Sequence, residues 1–310
     1  MSVNLKEELF FIKETIRYGY GWKGVLAYLV NKFWNSKKIY SLKLPDYRRI
    51  EGIEIHILCR KKDADMLAWS LMSFISQSGI CPKVIVHDDG TFDKNTVNKL
   101  ELKFPELRVL SFKKANELIK NTVGLSSKLM EHRNKGHKLI HKLIDVFLLS
   151  RSEKVMILDS DILFFNRPEE ILEFMRGDSN YDSLITKNSG EYDLELSENY
   201  FKKYEFLKGS ADFMNPGITL YKKDKIDLNK LLEYFENTRR MPGDYLVEMS
   251  GWACLIAQTR FRFLPPDRYP IKGKLNPNAV MKHFTNPRRH EFYIWGIDKV
   301  REALTYKNEH

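Results

Sequence analysis

Residues Lys154–Phe165 read KVMILDSDILFF. A nearly unbroken apolar run, Val155 to Leu158, stops at Asp159, Ser160 and Asp161, and apolar residues then resume. A short apolar run bounded by polar residues reads as a strand buried on both faces. Residues i and i+2 of an extended chain point the same way, so Asp159 and Asp161 are set to face one point. If the chain turns there, one binds directly and the other through water. Two carboxylates held close repel unless something positive lies between them. A hard divalent cation, Mg²⁺ or Mn²⁺, meets that need and commonly joins protein carboxylates to substrate phosphates. The plainer alternative is two acids capping a strand and paired with Lys or Arg.

Outward from this stretch, strand and helix alternate. IEIHILC (53–59), KVIVH (83–87), LRVLSF (107–112) and KVMIL (154–158) read as strands. ADMLAWSLMSFISQS (64–78), DKNTVNKLELKF (93–104) and HKLIHKLIDVFLLS (137–150) carry helical apolar spacing. The alternation predicts a mostly parallel sheet flanked by helices on both faces, an α/β, Rossmann-like class. Beyond residue 165, helices are predicted over NRPEEILEFMRG, GDYLVEMSGWACLIAQ and EFYIWGIDKVREAL, and strands at YDSLIT, GITLYK, RFRFLP and AVMKHF. Open parallel sheets bind ligands outside the carboxyl ends of their strands. Cys59 and Arg60, then His87, Asp88 and Asp89, then Asp159 and Asp161 follow successive strands and are expected along one edge.

The phrase LDSDILFFNRPEEIL resembles the metal-binding segment of nucleotide-sugar-dependent glycosyltransferases of the GT-A fold, particularly the glycogenin and lipopolysaccharide galactosyltransferase-like group. VIVHDDGTF is similar to the strand and turn common in these enzymes, and GHKLIHKLIDVFLLS to the helix before the D-x-D. FMNPGITLYKKD resembles the segment shaping the sugar pocket. VMKHFTNPRRHEFYIWGI resembles the segment whose histidine completes the metal site. The resemblance covers about residues 53–297. It implies transfer of a sugar from a nucleoside-diphosphate sugar to an acceptor hydroxyl, with Mn²⁺ or Mg²⁺ held by Asp159, Asp161 and His283. Donor contacts are implied at Asp88 and Asp89 (base or ribose), Ser160 (near the metal), Asn215 and Gly217 (sugar pocket) and Lys142 (phosphates, with Lys138 as rival). Glu248 and Asp212 are the acids expected near the sugar. The group's usual H-x-x-G-x-x-K reads H-F-T-N-P-R-R here, so Arg288, or its neighbour Arg289, takes the lysine's place. Trp252 is expected in the core rather than on a sugar face.

The chain has 310 residues and a net charge of +10. Residues 1–50 hold ten Lys/Arg against Glu7, Glu8, Glu14 and Asp46, a net +6. They read as a basic amphipathic helical segment preceding a GT-A domain over 51–310. Such a segment either packs on the main domain with a basic outer face or lies on an anionic membrane. The three cysteines, Cys59, Cys81 and Cys254, form neither a disulfide framework nor a zinc motif. With no signal-peptide core or membrane span in the sequence, a cytoplasmic location is expected, peripheral to the membrane if the basic segment binds it. The expected partners are a nucleotide-sugar donor and a glycan or lipid-linked acceptor, as in surface glycan assembly, and no nucleic acid. Two other readings use the same letters: a haloacid-dehalogenase-like phosphatase built on the D-x-D, and a basic nucleic-acid-binding protein. The first expects a Thr or Val where Leu163 stands, and the second lacks a binding motif.

Overall fold

The structure is a computed structural model that describes residues 5–122, 124–273 and 275–309. The first four residues of the basic N-terminal segment therefore lie outside the described residues. The strands are β1 (Arg48–Cys59), β2 (Ile80–Asp88), β3 (Leu107–Leu110), β4 (Lys154–Leu158), β5 (Ile162–Phe164), β6 (Ser183–Lys187), β7 (Met214–Lys222), β8 (Phe261–Phe263) and β9 (Met281–His283). The helices are α1 (Leu5–Arg17), α2 (Gly21–Phe33), α3 (Ala64–Ser78), α4 (Lys94–Lys103), α5 (Phe112–Lys120), α6 (Ser127–Lys135), α7 (Ile140–Leu149), α8 (Glu169–Arg176), α9 (Glu198–Lys203), α10 (Leu228–Asn237), α11 (Leu246–Ala257) and α12 (Ile297–Glu309).

Seven strands form one sheet in the order β3-β2-β1-β4-β7-β6-β8. β7 alone runs antiparallel to its neighbours, so the sheet is mostly parallel. The apolar run of β4 is explained by this central place. Met156 and Leu158 point into the core that holds α3, while Val155 and Ile157 point into the core that holds α7 and α11. Both faces are covered, so alternation of polar and apolar residues disappears. β1 keeps a partial alternation. Ile53, Ile55 and Ile57 are buried, and so are Glu54 and His56 between them. Gly79 ends α3 in the left-handed conformation at φ +68°, which turns the chain directly into β2.

Helices α1 and α2 form a hairpin that packs on the C-terminal segment. Asn31 Nδ2 donates to the Tyr293 carbonyl at 2.6 Å and to Asp298 at 2.9 Å, and Tyr20 donates to Glu291 at 2.8 Å. Trp69 Nε1 donates to the Ser36 carbonyl at 2.9 Å, and Tyr28 and Ile39 are fully buried. β1 begins at Arg48, so the expected boundary at residue 50 falls inside that strand. Trp252 is a core residue, as expected.

Candidate active site

The strand order creates a crevice by itself. The chain leaves β1 toward β2 and β3, then returns to place β4 on the other side of β1. Loops following β1 and β4 therefore part at their carboxyl ends. A cleft of about 700 Å³ opens there. Asp159, Ser160 and Asp161 make the turn between β4 and β5 and line it. β5 pairs antiparallel with β9, with Ile162 opposite His283. Phe284 N also donates to the Asp161 carbonyl at 2.9 Å. This short ribbon carries His283 across 122 residues of sequence to the paired acids.

His283 Nε2 lies 3.1 Å from Asp161 Oδ1 and 3.5 Å from Asp159 Oδ2. Its ring occupies the space above Gly217. A Cβ at that position would sit 2.4 Å from His283 Cε1 and 2.6 Å from Nδ1. The glycine is thus required by close approach rather than by backbone conformation.

Two cations balance the acids. Lys142, on α7, donates to Asp159 Oδ1 at 2.8 Å and stands 3.2 Å from Glu248 Oε1 on α11. Burial works against the Lys142 charge, but Asp159 and Glu248 outweigh it and hold the amine above its ordinary range. Burial pushes the Glu248 carboxyl up to about 7; Lys142 opposes this and the Asp159 charge adds to it. Glu248 Oε1 makes no well-formed hydrogen bond, despite its distance from Lys142. Arg289 Nε is 3.4 Å from Asp161 Oδ2, and its Nη2 is 3.3 Å from Asp63. Burial would raise the Asp161 carboxyl, but His283 and then Arg289 outweigh it and hold it below the usual range.

The donor atoms of Asp159, Asp161 and His283 lie within 4.8 Å of one another. Two carboxylate oxygens and one imidazole nitrogen are a chemically suitable set for Mn²⁺ or Mg²⁺. The three residues fit a divalent ion.

The structure brings Asp159, Ser160, Asp161, His283, Asn215, Gly217, Lys142, Glu248 and Asp89 to one cleft, with Lys138 also at its wall. Four expected residues lie elsewhere. Asp88 accepts the N–H groups of Gly90, Thr91 and Phe92, so it shapes the turn rather than facing the cleft. His87 belongs to β2 and is buried, its Nε2 2.8 Å from His56 Nδ1. Asp212 accepts the Gly209 N–H in a separate recess beside Tyr192 and Lys208. Arg288 turns away to Glu291, and its guanidinium lies over the Tyr18 ring at 4.8 Å. Arg289 stands in the cleft in its place. Asp63 and Tyr245 also line the cleft and carry no sequence pattern that would single them out, whereas Asn286, also there, stands at the glycine position of the H-x-x-G-x-x-K pattern.

No protein-family model matches the chain, and no curated protein matches it. Solved structures do. The bifunctional glycosyltransferase WbbM aligns at 13% identity and a TM-score of 0.50, over 85% of this chain and 50% of its own. The glycosyltransferase GlyE of Streptococcus pneumoniae TIGR4 aligns at 10% identity and a TM-score of 0.50, over 85% of this chain and 64% of its own. The chain spans only about half to two thirds of these two. The galactosyltransferase LgtC, in complex with donor and acceptor sugar analogues, aligns at 12% identity and a TM-score of 0.49 over 82% of this chain and 95% of its own. With the sheet order and the edge just described, WbbM and GlyE identify the architecture of this chain as the GT-A glycosyltransferase fold.

Proposed function

We propose that this protein is a metal-dependent glycosyltransferase that moves a sugar from a nucleoside-diphosphate sugar to a hydroxyl of a glycan or lipid-linked acceptor. The observation that carries the reading is the meeting of Asp159, Asp161 and His283 at the crevice of a GT-A sheet. Residues 51–310 are proposed as the catalytic unit and 1–50 as its appendage.

Mn²⁺ or Mg²⁺, when held by Asp159, Asp161 and His283, supplies Lewis-acid stabilisation of the pyrophosphate. The chain's own residues do the rest. Lys142 and Arg289 are fixed cations at the rim of the acids, placed where negative charge grows as the nucleoside diphosphate departs. Asn215 and Gly217 form the floor on which the sugar rests, and Asp89 is the remaining acid for ribose or base. The bond from the anomeric carbon to the donor phosphate oxygen breaks, and the acceptor oxygen takes its place. For transfer with inversion, Glu248 as carboxylate is the group that takes the acceptor's proton, because burial raises its carboxyl to about 7; for transfer with retention the departing phosphate takes it. Asp212, outside the cleft, has no part in this scheme.

A thermal-shift panel of nucleoside-diphosphate sugars with and without Mn²⁺ tests the reading. A metal-dependent rise in melting temperature, selective for one base and absent in Asp161→Asn, is the expected result. Absence of any shift across the panel would overturn it. Phosphate release from generic phosphate esters would favour the phosphatase instead.

A further inference from the structure

A helix on a soluble surface buries its apolar stripe and exposes its charges. The α1–α2 hairpin does part of the reverse. Its acids face inward: Glu8 is buried against Tyr28 and Lys32, Glu7 pairs with Lys62, and Glu14 is buried beside Arg17. Its outer face is apolar and basic. Along α2 and the residue after it, Trp22, Leu26, Val30 and Trp34 follow one another every fourth position and are 76%, 65%, 37% and 64% exposed. On α1, Leu5, Leu9, Phe10 and Ile16 are exposed beside Lys6, Lys13 and Arg17. Nine of the thirteen exposed large apolar side chains among the described residues lie between Leu5 and Trp34.

We propose that this face is an interfacial docking surface for an anionic lipid bilayer. An exposed apolar patch of this kind marks an interaction site. The lysines decide the partner. Lysine is depleted from the cores of protein–protein interfaces, whereas tryptophan among lysines suits the headgroup layer, where rings sit at the boundary and amines meet lipid phosphates. Exposed Lys6, Lys13 and Lys23 lie among the apolar residues of the two helices, exposed Lys38 follows α2, and no exposed acid interrupts either helix. The inner contacts of α2 with Tyr293 and Asp298 fix the hairpin on the segment that also carries His283 and Arg289. This inference stands without the sugar-transfer reading.

Co-sedimentation of the full chain with vesicles tests it, using phosphatidylcholine alone and phosphatidylcholine mixed equally with phosphatidylglycerol. The wild type partitions to the anionic vesicles and only weakly to the neutral ones, with its tryptophan emission shifted to the blue. The triple variant Trp22→Ser, Leu26→Ser, Trp34→Ser binds at least about tenfold more weakly, and Lys13→Glu, Lys23→Glu, Lys38→Glu about 100-fold more weakly. All six side chains are exposed, so the melting temperature of each variant stays near that of the wild type and controls for folding. The proposal falls if the wild type stays in the supernatant, or binds both vesicle types equally. It also falls if the serine variant binds as well as the wild type. A vesicle-free dimer that the serine variant converts to monomer, with no vesicle binding by either, would assign the face to a second copy of the chain.

Discussion

At the scale of single residues the site depends on one absent side chain. Gly217 lies against His283 so closely that any Cβ would overlap the imidazole. Gly217→Ala therefore pushes the ring away from Asp159 and Asp161 while its own backbone stays unstrained. The expected outcome is an affinity for Mn²⁺ lower by about 10- to 100-fold, the size seen when a ligand's support is lost. Titration followed by electron paramagnetic resonance of free Mn²⁺ reads this directly, and an unchanged affinity would remove His283 from the ligand set. The sequence made much of this legible. Asp159 and Asp161 stood out because charge interrupts an apolar strand, and His283 came only from resemblance to known enzymes. Arg288 was the wrong choice of the two, since counting through H-F-T-N-P-R-R puts Arg289 at the lysine's position. The turn sends Arg288 to Glu291 and Arg289 to Asp161. Asp88 and Asp89 both hold the turn, Asp89 by accepting the Thr91 hydroxyl at 2.6 Å, and only Asp89 also lines the cleft.

At the scale of elements, α7 carries the cation of the site and must itself be anchored. The anchor is a buried two-pronged pair, Arg133 Nε to Asp145 Oδ1 at 2.8 Å and Nη2 to Oδ2 at 2.9 Å, which ties α6 to α7. Arg133 also donates to Asn116 of α5 at 2.8 Å, and the pair is almost wholly shielded from water. Burial alone would raise the Asp145 carboxyl; His141 and Arg133 together reverse this. Arg133→Met leaves a buried carboxylate short of its partner, which costs about 3 to 5 kcal/mol. Urea unfolding should show that loss with an unchanged slope. The double variant Arg133→Met, Asp145→Leu should recover part of it, because the isolated charge is gone. Equal stability of single variant and wild type would mean that His141, 3.4 Å away, or water satisfies Asp145 without Arg133. None of this was visible in the sequence. The two helices between residues 112 and 135 are short, and beside this ion pair and their caps they bury only Ala115, Ile119 and Leu129 among their apolar side chains. Ser111 accepts the Lys114 N–H and Ser126 that of Leu129. By contrast α3, nearly all buried, was predicted to its ends.

At the scale of the whole molecule, the double cover that makes the sheet a platform also buries groups that titrate. Glu54, His56 and His87 form a chain across β1 and β2, with His56 Nε2 3.3 Å from Glu54 and His56 Nδ1 2.8 Å from His87. The alternation of β1 concealed it, since a polar residue between isoleucines reads as solvent-facing until a second layer of helices is known. Burial, with His56 adding to it, pushes His87 down to about 3, and burial lowers His56 as well. An unfolded chain binds protons at these histidines from about pH 6.5 downward, while the folded chain does not. Stability contributed here is therefore complete above about pH 6.5 and is lost as pH falls toward 3. Glu54 acts lower. Burial raises it, but His56, the Arg151 N–H and Lys83 outweigh that and depress it, so its contribution persists above about pH 4.3 and fades beneath. Between about pH 6.5 and 5 the fall in unfolding free energy should belong mainly to the histidines, at up to about 1.4 kcal/mol per pH unit for each. His87→Asn should flatten that segment of the curve by roughly one histidine's share, measured by urea midpoints across the range. Parallel curves for variant and wild type would show that His87 is protonated within the folded sheet, and the two-sided burial that shapes this molecule would then be leakier than its packing implies.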